Sequence, residues 1–131
     1  MVEYLSTDDM IDLYIVSVQA LGDEPQGLRD RVLLESAVMR AQFLAHYGEA
    51  DLFEQAAALA HGISRSQAFV DGNKRAGLQA ASIFLRLNGR RLPADRMAFA
   101  RMILDATSPE LDAAQAEQRL AAWLREHTAP A

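Results

Sequence analysis

The stretch from Leu52 to Ser64 is apolar on more than one face: Phe53, Ala56, Ala57, Leu59, Ala60 and Ile63 do not fall on a single helical stripe. A helix that is apolar around most of its circumference must be enclosed by other elements. It is also too short to span a bilayer, which takes about 20 apolar residues. A chain with such a segment has to place it centrally and cover it with amphipathic helices.

The remaining sequence supplies those covers. The spacing predicts a helix from about Thr7 to Leu21, with Ser6 as its cap, Asp8 and Asp9 in its first turn, and Ile11, Tyr14, Ile15 and Val18 facing the core. Gly22 to Gly27, with Pro25 inside, reads as a loop. A second helix runs from about Asp30 to His46, with Leu33, Leu34, Ala37, Val38 and Phe43 inward, and Gly48 breaks it. Asp51 caps the central helix, Leu52–Ser64. The segment from Ser66 to Asn73 is irregular, turning at Gly72. A helix from Lys74 to Leu87, rich in small residues, ends at Asn88-Gly89. Two more follow: Asp95 to Ala106, with Met97, Phe99, Ala100, Ile103 and Leu104 as its apolar face, and Asp112 to Glu126. The tail from Thr128 to Ala131 is expected to fray. No alternating strand of length occurs, although the Leu92 region could hold a short one. The expectation is a single all-α domain over residues 1–131, a bundle of about six helices. The segment before Lys74 forms a loop between the two central helices, with Phe69 buried between them.

Composition narrows the function. The chain carries 13 Lys and Arg against 18 Asp and Glu, a net charge of −5. Nucleic-acid binding needs clustered positive charge, so no DNA binding is expected. The absence of cysteine excludes disulfides and thiolate metal sites and fits a cytoplasmic setting. Residues 1–7 lack the pattern of a signal peptide, and no membrane association is expected.

Chemistry concentrates in Phe69-Val70-Asp71-Gly72-Asn73-Lys74-Arg75. This is a loop entering a helix N-terminus, where backbone N–H groups lack partners and the helix dipole is positive. Gly72 lets backbone approach a ligand closely. Lys74 and Arg75 add two cations, and Asp71 supplies a hard oxygen suited to Mg²⁺ on nucleotide phosphates. The plain alternative is an exposed turn with a solvated basic pair.

From Gln67 to Arg75 the sequence resembles the signature of the Fic/Doc (death-on-curing) family, H-x-F-x-[D/E]-[G/A]-N-[G/K]-R. The lysine before the arginine, and Leu78 where the AMP-transferring branch has arginine, resemble the Doc branch. Gly27-Leu28-Arg29-Asp30, Leu33–Ala37 and Ile83–Gly89 extend the likeness. The resemblance implies the following. The protein is the toxin of a toxin–antitoxin module. It is a Doc-type phosphotransferase that uses Mg²⁺ and ATP to phosphorylate a hydroxyl on a translation factor such as elongation factor Tu. Asp71 is its metal ligand, and Gly72, Asn73, Lys74 and Arg75 hold the phosphates. Its restraint is an antitoxin peptide that folds onto it. The self-inhibitory pattern [S/T]-x-x-x-E-[G/N] of other members is absent.

Gln67 departs from the pattern at the catalytic histidine. A carboxamide accepts a hydrogen bond but takes no proton near neutral pH. Three readings stay open at this point: an inactivating substitution, a natural pseudoenzyme that keeps the nucleotide cradle, or another group serving as base. AMP transfer is the remaining enzymatic alternative. His61 is the obvious substitute base, although its apolar helix favours a packed histidine hydrogen-bonded to backbone. His46 fits a helix C-terminus and His127 the exposed tail. Arg29 and Asp30 read as a pair or a cap, Glu35 as a surface pair, and Arg86, Arg90 and Arg91 as a small basic group.

Overall fold

The computed structural model describes residues 1–131. Six helices account for most of the chain: α1 (Thr7–Ala20), α2 (Arg31–Gly48), α3 (Leu52–Ser66), α4 (Asn73–Leu87), α5 (Met97–Ala106) and α6 (Ala113–His127). No helix is long and apolar enough to cross a membrane. The all-α expectation holds. Three starts are set by the expected caps, Ser6, Asp30 and Asp51, and a fourth by Asp112, which the sequence placed at the helix start without a capping role. Ser6, Asp51 and Asp112 each form a reciprocal capping box, and the Asp30 carboxylate accepts from the Val32 and Leu33 amides.

Helix α3 is the axis of the bundle. It contacts α2, α4, α5 and α6, and Gln55 to His61, Ile63 and Ser64 are all buried. Its buried polar group at Gln55 is satisfied twice, by the Tyr4 hydroxyl donating at 2.7 Å and by donation to the Ala50 carbonyl at 3.1 Å. Helix α4 lies closely against α3. A Cβ at Gly77 would fall 2.3 Å from Ser64 Oγ and 2.5 Å from the Ala60 carbonyl oxygen, so only glycine permits this approach.

Several expectations give way to packing. Helix α2 continues through Gly48 and stops at Glu49, which adopts a left-handed conformation at φ 52°. Phe43 and Leu33 do not enter the core; Phe43 is 57% exposed and packs on Tyr47 along the outer face of α2. The inner face of α2 is narrower, made of Leu34, Ala37, Val38 and Ala41, because α3 approaches it with small residues. Met97 and Leu104 are likewise solvent-facing. The tail is not frayed. Ala129–Pro130 (β2) pairs antiparallel with Arg90–Arg91 (β1), the Ala131 amide donates to the Gly89 carbonyl at 2.9 Å, and Arg90 donates to the Thr128 carbonyl at 2.8 Å.

His61 is buried as expected, but its Nε2 has no hydrogen-bond partner. Burial holds its pKa below the usual histidine range, with the positive charges of Arg65 and Arg40 acting in the same direction.

Two outcomes follow from this packing. Gly77→Ala, a change that would favour an isolated helix by about 1 kcal/mol, is expected to destabilise the protein by about 2 kcal/mol or more through overpacking. Urea unfolding measures it, and a neutral or stabilising result would refute the close approach. The unfolded chain takes up a proton at His61 more readily than the native one, so the stability tied to neutral His61 is fully present above the unfolded pKa of about 6.5 and drains as pH falls below it. The urea midpoint of the parent should therefore drop more steeply between about pH 7 and 5 than that of His61→Leu; parallel profiles would contradict the burial argument.

Candidate functional site

The chain between α3 and α4, residues 67–72, is held on three sides. From one side comes the strand-like segment 27–30. The Arg29 and Asp30 amides both donate to the Ala68 carbonyl, at 2.6 and 3.0 Å, and the Val70 amide donates to the Gly27 carbonyl at 3.2 Å. These bonds make an isolated antiparallel bridge between Leu28 and Phe69. From below, Phe69 is buried and stacks on Tyr14 with ring centroids 3.9 Å apart. The Tyr14 hydroxyl donates to the Asp71 carbonyl at 2.8 Å. From within, the Asn73 carboxamide accepts from the Phe69 amide and donates to the Phe69 carbonyl, both at 3.0 Å. The Asn73 side chain thus braces the loop, and its backbone N–H remains for a ligand.

Gly72 caps α4 at φ 83° and offers no side-chain cap. A Cβ there would sit 3.3 Å from the Tyr14 ring. The first backbone bond into α4 is made by the Ala76 amide, and no bond is made by the amides of Asn73, Lys74 and Arg75. Three N–H groups therefore face outward at the positive end of a 15-residue helix. One Asp71 carboxylate oxygen accepts from the Gly72 amide at 2.8 Å, and the other carries no bond within the protein. The Lys74 and Arg75 side chains are exposed and belong to no ion pair.

Two clefts meet at Arg75. One, of about 410 Å³, lies between Tyr14, Glu24, Asp71 and Arg75; the other, of about 270 Å³, between Lys74, Arg75, Leu78 and Ile103. A larger hollow of about 700 Å³ runs along Met39, Phe43 and Tyr47 on the outer face of α2. It holds no carboxylate, so the smaller pair is the candidate for phosphate chemistry. No cluster of three metal-ligating side chains exists anywhere in the chain. A divalent ion held by Asp71 alone would need phosphate oxygens and water to complete its shell, which is the ordinary way Mg²⁺ sits on a nucleotide. The donor set fits that ion only together with a phosphate ligand.

Gln67 caps α3 in a left-handed conformation, φ 53°. A non-glycine residue there costs about 1–2 kcal/mol, and such strain gathers at functional positions. Its side chain is exposed and lines neither cleft. An Arg29 Nη2 donates to Gln67 Oε1 at 3.4 Å. Arginine has only donors, so the oxygen of the carboxamide must be the end facing it. Arg29 therefore does more than pair or cap: its amide holds the loop and its guanidinium reaches the signature's first position. Neither this role nor that of Tyr14, 57 residues from Asp71, leaves a signal in the linear sequence. Glu35 pairs with Arg31 at 3.0 Å on the surface of α2, and His61 lies in the core, outside both clefts.

The description "Fic/DOC family" matches residues 4–85 of the chain. The chain is 40% identical over 97 residues to the "Toxin Doc" of Mycolicibacterium smegmatis (strain ATCC 700084 / mc(2)155), covering 72% of each protein. It is 34% identical over 87 residues to the "Protein kinase doc" of Escherichia phage P1, covering 66% of this chain and 68% of that one. With its helical order, its braced loop and its glycine-capped α4, the chain belongs to the Fic/DOC family.

Proposed function

We propose that this chain is the toxin component of a toxin–antitoxin module, built as a Doc-type protein phosphotransferase and left without its proton acceptor by Gln67. The carrying observation is the start of α4, where three unpaired amides, two unpaired cations and one free Asp71 oxygen converge. Those groups suit the phosphates of Mg-ATP. The amides of Asn73, Lys74 and Arg75 would donate to phosphate oxygens, the Arg75 fork would grip one phosphate in two places, and Lys74 would act as a point charge. Asp71 would hold the Mg²⁺, which supplies charge neutralisation when bound. The relatives named as a toxin and as a protein kinase support this reading. So does Leu78, which replaces the arginine expected of AMP transfer. The acceptor in the proposal is a hydroxyl on a translation factor, elongation factor Tu by resemblance, and the restraint is an antitoxin peptide. The cytoplasm is the matching setting.

Transfer needs the acceptor hydroxyl to lose its proton as its oxygen bonds to the terminal phosphorus and the bond from that phosphorus to the departing ADP breaks. Gln67 offers that proton only a hydrogen bond. Absence of a general base typically costs about 10²–10⁴-fold in rate. A nucleotide-binding scaffold that does not turn over is the second reading, and the contact between Arg29 and Gln67 Oε1 favours it, because it turns the acceptor atom of the carboxamide towards a guanidinium.

Two measurements separate the parts. Calorimetry with Mg-ATP should find the parent and Gln67→Ala close in affinity and Arg75→Ala weaker by about 10-fold or more; equal affinity for all three would end the cradle reading. Gln67→His should raise phosphate transfer from radiolabelled ATP into a cell extract by about 10²-fold or more. The neighbouring Arg29 guanidinium would favour the neutral, basic form of the introduced imidazole. A folded, ATP-binding Gln67→His protein that transfers nothing leaves the binding scaffold as the function.

A further inference from the structure

The opposite end of α4 carries a second site. A 15-residue helix spans about 22 Å, so its C-terminus is far from the motif loop. There a cleft of about 400 Å³ is walled by Arg86 from the last turn of α4, Arg91 from β1, Arg96 before α5 and His127 from the end of α6, over a floor that includes Leu92 and Pro93. No carboxylate lines it. The four ion pairs of the protein use Arg31, Arg40 and Arg125 and none of these arginines. Acidic residues outnumber basic ones by 18 to 13 in the chain, so three unneutralised guanidiniums around one hollow run against the composition.

Helix dipoles account for only one of them. Arg86 at a helix C-terminus complements the dipole. Arg96 occupies the N-cap of α5 and makes no side-chain cap bond, a position where the dipole disfavours a cation. Arg91 makes no side-chain bond. The walls are nonetheless built. The Arg96 guanidinium donates to the hydroxyl of buried Ser82. Strand β1 is fixed by β2 and by the Ala131–Gly89 bond. His127 is stacked on Trp123 at 4.4 Å, with Nδ1 2.8 Å from the Trp123 carbonyl oxygen. Cations crowded in a concave site repel one another until an anion enters, and planar guanidinium forks match oxyanions in two-point contacts.

We propose that this cleft is a second anion site, separate from the α4 N-terminus, that takes a small ligand bearing adjacent phosphate groups. One phosphate spans the forks of Arg91 and Arg96, and the next approaches Arg86. The hollow is within the usual range for small-molecule sites, about 300–1,000 Å³, and its walls come from four separate elements, which suits a compact ligand better than an extended acidic chain.

Calorimetry with inorganic pyrophosphate, metal-free and at low salt, tests it on the whole chain. The parent should bind two equivalents. Arg75→Ala should lose one, and Arg91→Ala should weaken the other by about 10-fold. Arg91 is an exposed side chain without partners, so its removal should leave the fold intact, and amide chemical shifts at Gly89 and Gly72 report the two ends separately. Loss of the Arg91-dependent equivalent with the Arg75-dependent one absent from the start would support this site and make the α4 N-terminal cradle dependent on Mg²⁺. A single equivalent abolished by Arg75→Ala, or binding that Arg91→Ala leaves unchanged, would overturn the proposal. So would an oligoglutamate peptide that shifts Gly89 while pyrophosphate does not, since the cleft would then be a protein-docking surface.

Discussion

The contact of Gly77 with the Ala60 carbonyl and Ser64 is the constraint on which the rest of the molecule depends. Two helices pressed together at that range leave no room for side chains between them, so their axes and rotations are fixed relative to each other. The chain joining them must then run from the C-terminus of α3 to the N-terminus of α4 through six residues, 67–72. That short path forces left-handed backbone at both of its ends, Gln67 at φ 53° and Gly72 at φ 83°. Glycine accommodates the second without strain. Glutamine does not accommodate the first so readily, and it persists because the surrounding bonds over-determine it: Ser66 Oγ donates to Ile63 and accepts from the Ala68 amide, while Arg29 and Asp30 hold Ala68 from the other side.

Rigidity in the loop is what would make the free amides at α4 a ready phosphate site. An unpaired N–H at a frayed helix end is satisfied by water and costs little to leave so. Three such groups on a terminus held by Tyr14, Asn73 and the 27–30 segment are pre-organised, and a phosphate entering there need not order the backbone first. The Asn73 carboxamide illustrates the division of labour. The residue type in the signature suggests a ligand contact, but the side chain closes a two-bond ring with Phe69, and only the main chain is left for the ligand.

Much of this was legible from residue order alone, for physical reasons that differ by feature. The centrality of α3 followed from apolar residues on too many faces. The starts of α1, α2 and α3 followed from Ser and Asp caps, because caps act within three residues. What stayed hidden depends on distance in the chain. Tyr14 read as a core residue, and nothing near it discloses a hydroxyl aimed at Asp71. Phe43 and Leu33 satisfied the helical period of α2 yet face solvent, because period alone does not say how wide the buried stripe is. The tail at Thr128–Ala131 read as frayed because its two-residue pairing partner, Arg90–Arg91, lies across the fold and carries too few residues to show alternation.

The two ends of α4 now present the same electrostatic problem with opposite local terms. At the N-terminus the dipole already favours an anion, and Lys74 and Arg75 strengthen a field the backbone supplies. At the C-terminus the dipole favours cations, which stabilises Arg86, but Arg91 and Arg96 lie beyond its reach or against the dipole of α5. A helix carrying unpaired cations at both ends, in a chain whose net charge is −5, has its acidic surplus placed elsewhere. Part of it lies at the motif end itself, where Asp23 and Glu24 line the cleft opposite Arg75. Those carboxylates would offset part of the pull of Arg75 on an anion, and a divalent ion bridging to Asp71 would restore it. The far cleft has no such carboxylates and would need no metal to accept the same chemistry. The two ends thus differ in how far a divalent ion would strengthen phosphate binding, a difference set by which acidic residues the fold leaves beside each cation.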